Sequence, residues 1–198
     1  PTVTKKFAKV DVQTKIVLPE GANAGKYSVK TSVWNSNGQK LTEQTTPLSQ
    51  IKYNENSLSQ EFIIQTPTLW SLDMPALYSA ETRLYEGDKL KDIYTTPFGI
   101  RSIEIIPNKG FFLNGEKTVF KGVCNHHDLG PLGAAVNDAA IRRQIRILKD
   151  MGCNAIRTSH NMPAPELVKA CDEMGMMLMA ESFDEWNKAK CANGYNLI

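Results

Sequence analysis

The chain has 198 residues, enough for one large domain or two small ones. With 23 Lys and Arg against 21 Asp and Glu, the net charge of +2 gives no electrostatic case for nucleic acid or a membrane surface as partner. The apolar fraction of 41% suffices for real cores, and no run approaches the ~18 apolar residues of a membrane span.

The first residues, Pro1-Thr2-Val3-Thr4-Lys5-Lys6, lack the pattern of a signal peptide and an initiator Met. The chain therefore reads as an excised piece of a longer protein, and its compartment is not fixed. Residues 10–17 and 27–34 alternate apolar and polar, as half-buried strands do. Asn35-Ser36-Asn37-Gly38 is a turn cluster. Further strands are expected at 50–53, 59–65, 78–85 and 91–97, with Gly87-Asp88 joining the last two as a hairpin. Trp34 and Trp70 read as core. Short strands at regular spacing, with no helical stretch, predict an immunoglobulin-like β-sandwich over residues 1–101.

The period then changes. Asn108-Lys109-Gly110 and Asn114-Gly115 bracket a short Phe111-Phe112-Leu113 strand, an entry hairpin. Apolar runs at 118–123, 154–157 and 176–180 read as strands. Between them lie two helical stretches. The first, 138–151, carries a stripe of Ile141, Ile145, Leu148 and Met151, capped by Asn137 or Asp138 and ended by Gly152. The second, 164–174, carries Leu167, Val168, Cys171 and Met174, with Pro165 in its first turn and Gly175 at its end. Strand–helix–strand–helix–strand predicts parallel strands. Residues 102–198 thus read as the first three βα units of a truncated (β/α)8 TIM barrel. The whole is a multidomain β plus α/β chain. Cys124, Cys153, Cys171 and Cys191 show no CxxC spacing and read as free thiols, with a zinc or disulfide framework as the alternative.

Three polar clusters follow the three apolar runs: Asn125-His126-His127-Asp128, Thr158-Ser159-His160-Asn161 and Glu181-Ser182-Phe183-Asp184-Glu185-Trp186. Parallel strands bring them to one sheet edge, where α/β enzymes place their chemistry. Adjacent histidines on a strand point to opposite sides. At most one of His126 and His127 can therefore face the barrel mouth, for polyol recognition or proton transfer; the alternative is that one caps a loop and the other is solvated, and a metal site is the sharper alternative. Arg157 ends its strand either at the surface or directed into a barrel, where it needs a carboxylate. Glu181 directly ends an apolar run and is expected to be the most buried acid. It reads equally as the ion-pair partner of Arg157 and as a catalytic group. Phe183 and Trp186 are either packing residues or platforms for sugar C–H faces.

Several segments resemble glycoside hydrolase family 2. In the sandwich these are the run Leu69-Trp70-Ser71-Leu72-Asp73-Met74-Pro75-Ala76-Leu77-Tyr78, then Phe98-Gly99-Ile100-Arg101 and Phe112-Leu113-Asn114-Gly115-Glu116-Lys117. Lys121-Gly122-Val123-Cys124-Asn125-His126-His127-Asp128 resembles the family's first barrel strand. The segment from Met151 through Arg157 to Asn161 resembles its second, and the run Glu181 to Trp186 resembles the third-strand segment of β-galactosidase-like members. The resemblance implies hydrolysis of β-glycosides with retention, by two carboxylates about 5–5.5 Å apart. In the family, the acid/base follows an Asn after strand four and the nucleophile follows strand seven. Neither position has a counterpart here, because the only Asn-Glu pair, Asn54-Glu55, falls in the sandwich. No catalytic residue is therefore assigned.

The family's N-terminal sugar-binding jelly roll also has no counterpart. By position, His126, Arg157 and His160 would line a sugar pocket, with Asp184, Glu185 and Trp186 as further candidates. Phe120, Val123, Ile156 and Leu178 would pack the barrel. Cys124 stands where Asn is common, and the His usual beyond the third strand in metal-dependent galactosidases is not evident. This argues against a magnesium site, and no cofactor is expected.

The chain thus reads as an inactive fragment of a retaining β-glycosidase, most like a β-galactosidase, whose parent takes a carbohydrate substrate. The alternative is a non-catalytic carbohydrate-binding or interaction module. An open barrel face carrying Phe120, Ile156 and Leu178 predicts self-association through the incomplete barrel.

Overall fold

The structure, a computed structural model, describes residues 2–50, 57–185, 187–192 and 194. Trp186 and residues 51–56 lie outside the described residues. The chain divides into two compact units, one mostly of residues 1–104, the other mostly of residues 105–198.

The first unit packs two antiparallel sheets. β1 (Phe7–Lys15) pairs with β4 (Ser57–Gln65). The other sheet runs in the order β3-β2-β5-β6, from β2 (Tyr27–Trp34), β3 (Lys40–Pro47), β5 (Leu77–Glu86) and β6 (Lys89–Gly99). Strict alternation decides the inward faces. In β4, Leu58, Gln60, Phe62 and Ile64 are buried while their neighbours are exposed. Ala8, Val33, Phe62, Ile64, Tyr78 and Ile100 form one apolar cluster, and Tyr27, Val29, Leu48 and Leu58 form a second.

Between these clusters runs a polar layer. The Thr31 hydroxyl donates to Gln60 Oε1 at 2.6 Å, and Gln60 Nε2 donates to Thr46 Oγ1 at 3.1 Å and to the Gln44 carbonyl at 3.3 Å. Gln60 is 1% exposed and Thr31 0%, so neither could be left unpartnered cheaply.

One strand goes beyond what the sequence pattern predicts. β3 is a strand that alternation does not reveal, because this edge strand carries polar residues on both faces. Leu48–Gln50 is a 3-10 turn, and residues 51–53 of the strand expected at 50–53 lie outside the described residues. Trp70 is 1% exposed, while Trp34 is half-buried. The Trp70 N–H donates to the Ile100 carbonyl, the Arg101 guanidinium lies 4.7 Å over its ring, and the Asn114 side chain joins its carbonyl to the Ser102 N–H. The three sandwich segments quoted for the resemblance thus meet at one node. A separate three-stranded sheet follows, in the order β7 (Ile103–Ile106), β8 (Gly110–Leu113) and β9 (Glu116–Lys117).

The second unit holds three parallel strands, β10 (Gly122–Asn125), β11 (Ala155–Thr158) and β12 (Met177–Met179), in that order. They alternate with α1 (Asp138–Asp150) and α2 (Pro165–Met174). The Asn137 side chain accepts the Ala140 N–H and starts α1. Gly175, at φ +68°, ends α2, and a Cβ there would fall 2.2 Å from the Leu72 carbonyl oxygen. Lys149 Nζ donates to the carbonyls of Met174 at 2.6 Å, Leu72 at 3.0 Å and Gly175 at 3.3 Å. This clasps residues 71–75 onto the C-terminal ends of both helices.

Several expected positions shift. Residues 118–121 are not strand. Asn154 holds them instead, accepting the Lys121 N–H at 2.8 Å and donating to the Val119 carbonyl at 2.9 Å. Met151 is 70% exposed, since it falls past the last helical turn, and Val168 is 38% exposed; Ala170 and Cys171 fill the buried side of α2.

The larger correction concerns faces. Val123, Ile156 and Leu178 are register neighbours and pack against Ile141, Ile145, Leu148 and Cys171. They sit between sheet and helices, not on the opposite face. Phe120 packs on Phe111, ring centroids 4.7 Å apart, and stays 49% exposed. The face away from the helices carries Cys124, Arg157 and Met179, because side chains alternate along each strand.

Candidate active site

Parallel pairing puts the residues after β10, β11 and β12 at one end of the sheet. Arg157 lies between Cys124 and Met179 in register. Its Nε is 3.1 Å from Glu181 Oε1, and its Nη2 donates to Ser159 Oγ at 3.3 Å. The Nε–H does not meet hydrogen-bond geometry, so the link to Glu181 is a Coulombic contact without a directed bond.

The other Glu181 oxygen, Oε2, is 3.3 Å from His160 Nδ1. Glu181 thus spans the guanidinium and the imidazole. Its own backbone N–H donates to Thr158 Oγ1 at 2.9 Å, which fixes the loop after β12 to the end of β11. Ser159 N–H donates to the Asn125 carbonyl, tying the β10 and β11 ends together. Thr158 and Ser159 are 6% and 3% exposed. These positioning hydroxyls belong to a segment the sequence singles out, yet only the fold reveals their role.

The His126 and His160 rings approach edge to face, centroids 5.3 Å apart. His126, Arg157, His160 and Glu181 therefore form one constellation. All four reach solvent, and the side chains of Arg157, His160 and Glu181 are 40%, 43% and 29% exposed. An ion pair at that exposure contributes at most about 1 kcal/mol to stability. Its physical effect is orientation: Glu181 holds a guanidinium and an imidazole facing the same space. With its proton on Nδ1, His160 donates to Glu181 and presents Nε2 as an acceptor.

The remaining candidates lie apart. Asp184 pairs with Lys190 at 2.7 Å. Glu185 is the most buried acid among the described residues, at 9% exposed, which corrects the expectation for Glu181. The reason is local. The carboxylate turns into the segment after it, where Oε1 accepts the Lys190 N–H at 3.0 Å and Gly194 lies against Oε2. Trp186 lies outside the described residues, and Phe183 is 61% exposed. Asp128 Oδ1 accepts the Gly130 N–H, a loop contact.

A cavity of about 70 Å³ lies between the loops after β10 and β11 and the first turns of the helices. It is lined by His126, His127, Ser159 and Asn161, but by neither Arg157 nor Glu181. Burial pushes the Cys171 thiol up to about 12, so it is an inert core group. All four cysteines are free thiols. Among the described residues, no three His, Cys, Asp or Glu side chains gather as a metal site would require. No helix among them is long and apolar enough to cross a membrane.

Comparison with known proteins adds to this geometry. Residues 1–101 match the family model "Glycosyl hydrolases family 2", and residues 104–195 match "Glycosyl hydrolases family 2, TIM barrel domain". The chain is 42% identical over 194 residues to the beta-galactosidase BoGH2A of Bacteroides ovatus, covering 98% of this chain and 23% of that protein. It is 37% identical over 189 residues to a putative beta-glucuronidase of Formosa agariphila, covering 95% of this chain and 17% of that protein. Among solved structures, a glycosyl hydrolase family 2 member from Bacteroides cellulosilyticus superposes with a TM-score of 0.84 at 35% identity, covering 100% of this chain and 25% of that one. A beta-glycosidase from Bacteroides vulgatus gives a TM-score of 0.83 at 37% identity, covering 99% and 24%. The chain therefore spans a quarter or less of the length of these relatives. Residues 1–101 and 104–195 follow the family's order of a β-sandwich and then the start of a TIM barrel, and the chain belongs to glycosyl hydrolases family 2.

Proposed function

We propose that the chain is part of a retaining β-glycosidase, most like a β-galactosidase, that hydrolyses terminal β-glycosidic bonds in carbohydrates. The observation that carries this reading is the Arg157–Glu181–His160–His126 constellation at the C-terminal ends of three parallel strands. In this reading His126 and His160 bind sugar hydroxyls, and Arg157, oriented by Glu181, faces the acidic groups of the completed site. Asp184, Glu185 and Trp186 are further candidates. Glu185 is the weakest, because its carboxylate is enclosed by the segment after it. The acid/base and the nucleophile lie on neither Glu181 nor Glu185, and no metal or cofactor is assigned to these residues.

The proposed boundaries are residues 1–101 for an immunoglobulin-like sandwich and residues 102–198 for the first three βα units of the barrel. The strand pairing supports the first. So does Tyr78, near the start of β5, whose hydroxyl accepts the Thr68 backbone N–H at 2.8 Å, in the manner of a tyrosine corner. Self-association through the open barrel face remains part of the proposal, but on other residues than sequence alone suggested. Met179 at 59% and Phe120 at 49% exposure now motivate it.

The test is turnover of aryl β-galactosides and β-glucuronides by residues 1–198 and by the longer reading frame that contains them. Activity in the longer form alone, reduced by Arg157→Met and His160→Ala, is the expected result. Turnover by residues 1–198 that disappears in Glu181→Gln would overturn it.

A further inference from the structure

The cavity of about 70 Å³ lies in the gap between the loops after β10 and β11. His126 belongs to this cavity and, through its ring contact with His160, to the constellation as well. Ser159 does the same, since its Oγ accepts from Arg157 Nη2. The cavity is therefore a side pocket of the candidate site. Side-chain alternation explains its course. Cys124 and Arg157 point away from the helices, so Asn125, like Val123, points towards them. The pocket reaches from His126 to Ile141 and Leu167, in the first turns of α1 and α2.

Three properties narrow what it can hold. Its walls are mostly apolar, and Val136 at 52% and Met162 at 62% exposure line it from the two loops, so an occupant would bury both. One polar group is left over. Asn125 lines the cavity, and its Nδ2 is buried with no partner among the described residues. A buried donor is costly unless an acceptor meets it. Size is the third property. A cavity of about 150 Å³ is what benzene needs, so about 70 Å³ excludes an aromatic ring and suits a group of about three heavy atoms. An acetyl group combines that size with an acceptor oxygen for Asn125 and a methyl for the apolar walls.

We infer that this side pocket takes an acetyl group carried by the sugar on the oxygen or nitrogen beside His126, which makes acetylated β-glycosides the preferred substrates. The inference rests on the proposed glycosidase reading, in which His126 meets a sugar hydroxyl. An acylated oxygen has no proton left to donate, and a ring N–H of His126 can still donate to it.

The test is kcat/KM of the longer reading frame on an aryl β-galactoside and β-glucuronide, their mono-O-acetates and their 2-acetamido analogues, which separates ester from amide. One buried methyl and one new hydrogen bond correspond to a preference of about tenfold or more, and one acetylated substrate is expected to exceed its unsubstituted form by that factor. Ala135→Leu fills the pocket from the loop after β10 and should bring the ratio down to about one. Asn125→Leu removes the donor and should lower the ratio about five- to tenfold. A ratio below about tenfold for every acetylated substrate would overturn the inference alone and leave the pocket to ordered water. So would a preference that both variants leave intact. No turnover of any of these substrates, acetylated or not, would overturn the glycosidase reading and the inference with it.

Discussion

Replacing Gln60 by Leu tests whether the polar layer inside the sandwich specifies its two-sheet packing. The side chain makes three hydrogen bonds, to Thr31, Thr46 and the Gln44 carbonyl. Gln44 is exposed on the edge strand β3, so its carbonyl can turn to water. Thr31 is 0% exposed and keeps only its 3.3 Å contact with the Thr82 hydroxyl. The loss therefore centres on one buried hydroxyl, and Gln60→Leu is expected to destabilise the first unit by about 1–3 kcal/mol. Thr31→Val strands the Gln60 carbonyl oxygen instead and should cost a similar amount. The double substitution removes both partners at once and should recover much of the loss, giving a coupling of about 1–2 kcal/mol. Urea unfolding in a Trp186→Phe background, where fluorescence reports Trp34 and Trp70, measures all four forms. Additive losses would refute the claim that Thr31 and Gln60 satisfy one another.

Asn154→Ala removes two side-chain bonds to residues 119–121 and leaves the bond from the Asn154 backbone N–H to the Lys121 carbonyl; it should destabilise the second unit by about 1–3 kcal/mol in urea unfolding, with Asn154→Asp falling between. Gly152 and Gly175 both have positive φ, but only Gly175 faces a backbone oxygen. Gly152→Ala should therefore lose about 1 kcal/mol and Gly175→Ala clearly more, and equal losses would show that the Leu72 contact does not matter. The Lys30 ammonium, with the Ser32 hydroxyl and Lys40, holds the Glu43 carboxyl down from 4.5 to about 2. A depressed carboxyl stabilises above its unfolded value and loses that contribution as pH falls towards its folded one. The melting-temperature gap between the parent chain and Glu43→Gln should therefore shrink from pH 4.5 down to about 2, and a constant gap would contradict this.

The sequence makes the βα repeat legible because two independent signals coincide there, a helical stripe such as Ile141, Ile145 and Leu148 and a glycine stop. The sandwich is half legible. β4 alternates cleanly, whereas β3 is polar on both faces and carries no periodic signal. Alternation locates a strand without saying which of its faces meets which layer. That is why the pattern alone places Ile156 and Leu178 on the open barrel face, whereas they pack against the helices. The same limit applies to the site. The apolar run before Glu181 suggested burial, but Glu185 is the enclosed acid because a later segment folds over it, and no local pattern encodes that fold-back. By contrast, the pairing of Arg157 with Glu181 could be anticipated from strand adjacency alone, since charges at the ends of neighbouring parallel strands have few other partners nearby.

The central claim is that these residues belong to a retaining glycosidase whose nucleophile is not among them. The most direct measurement is intact-mass and peptide-mass analysis of the longer reading frame after reaction with a 2-deoxy-2-fluoro-β-galactoside, which traps a covalent glycosyl-enzyme. The account predicts a single glycosyl adduct on a carboxylate outside residues 1–198. An adduct on Glu181 or Glu185, or turnover of an aryl β-galactoside with inversion and no adduct, would contradict it.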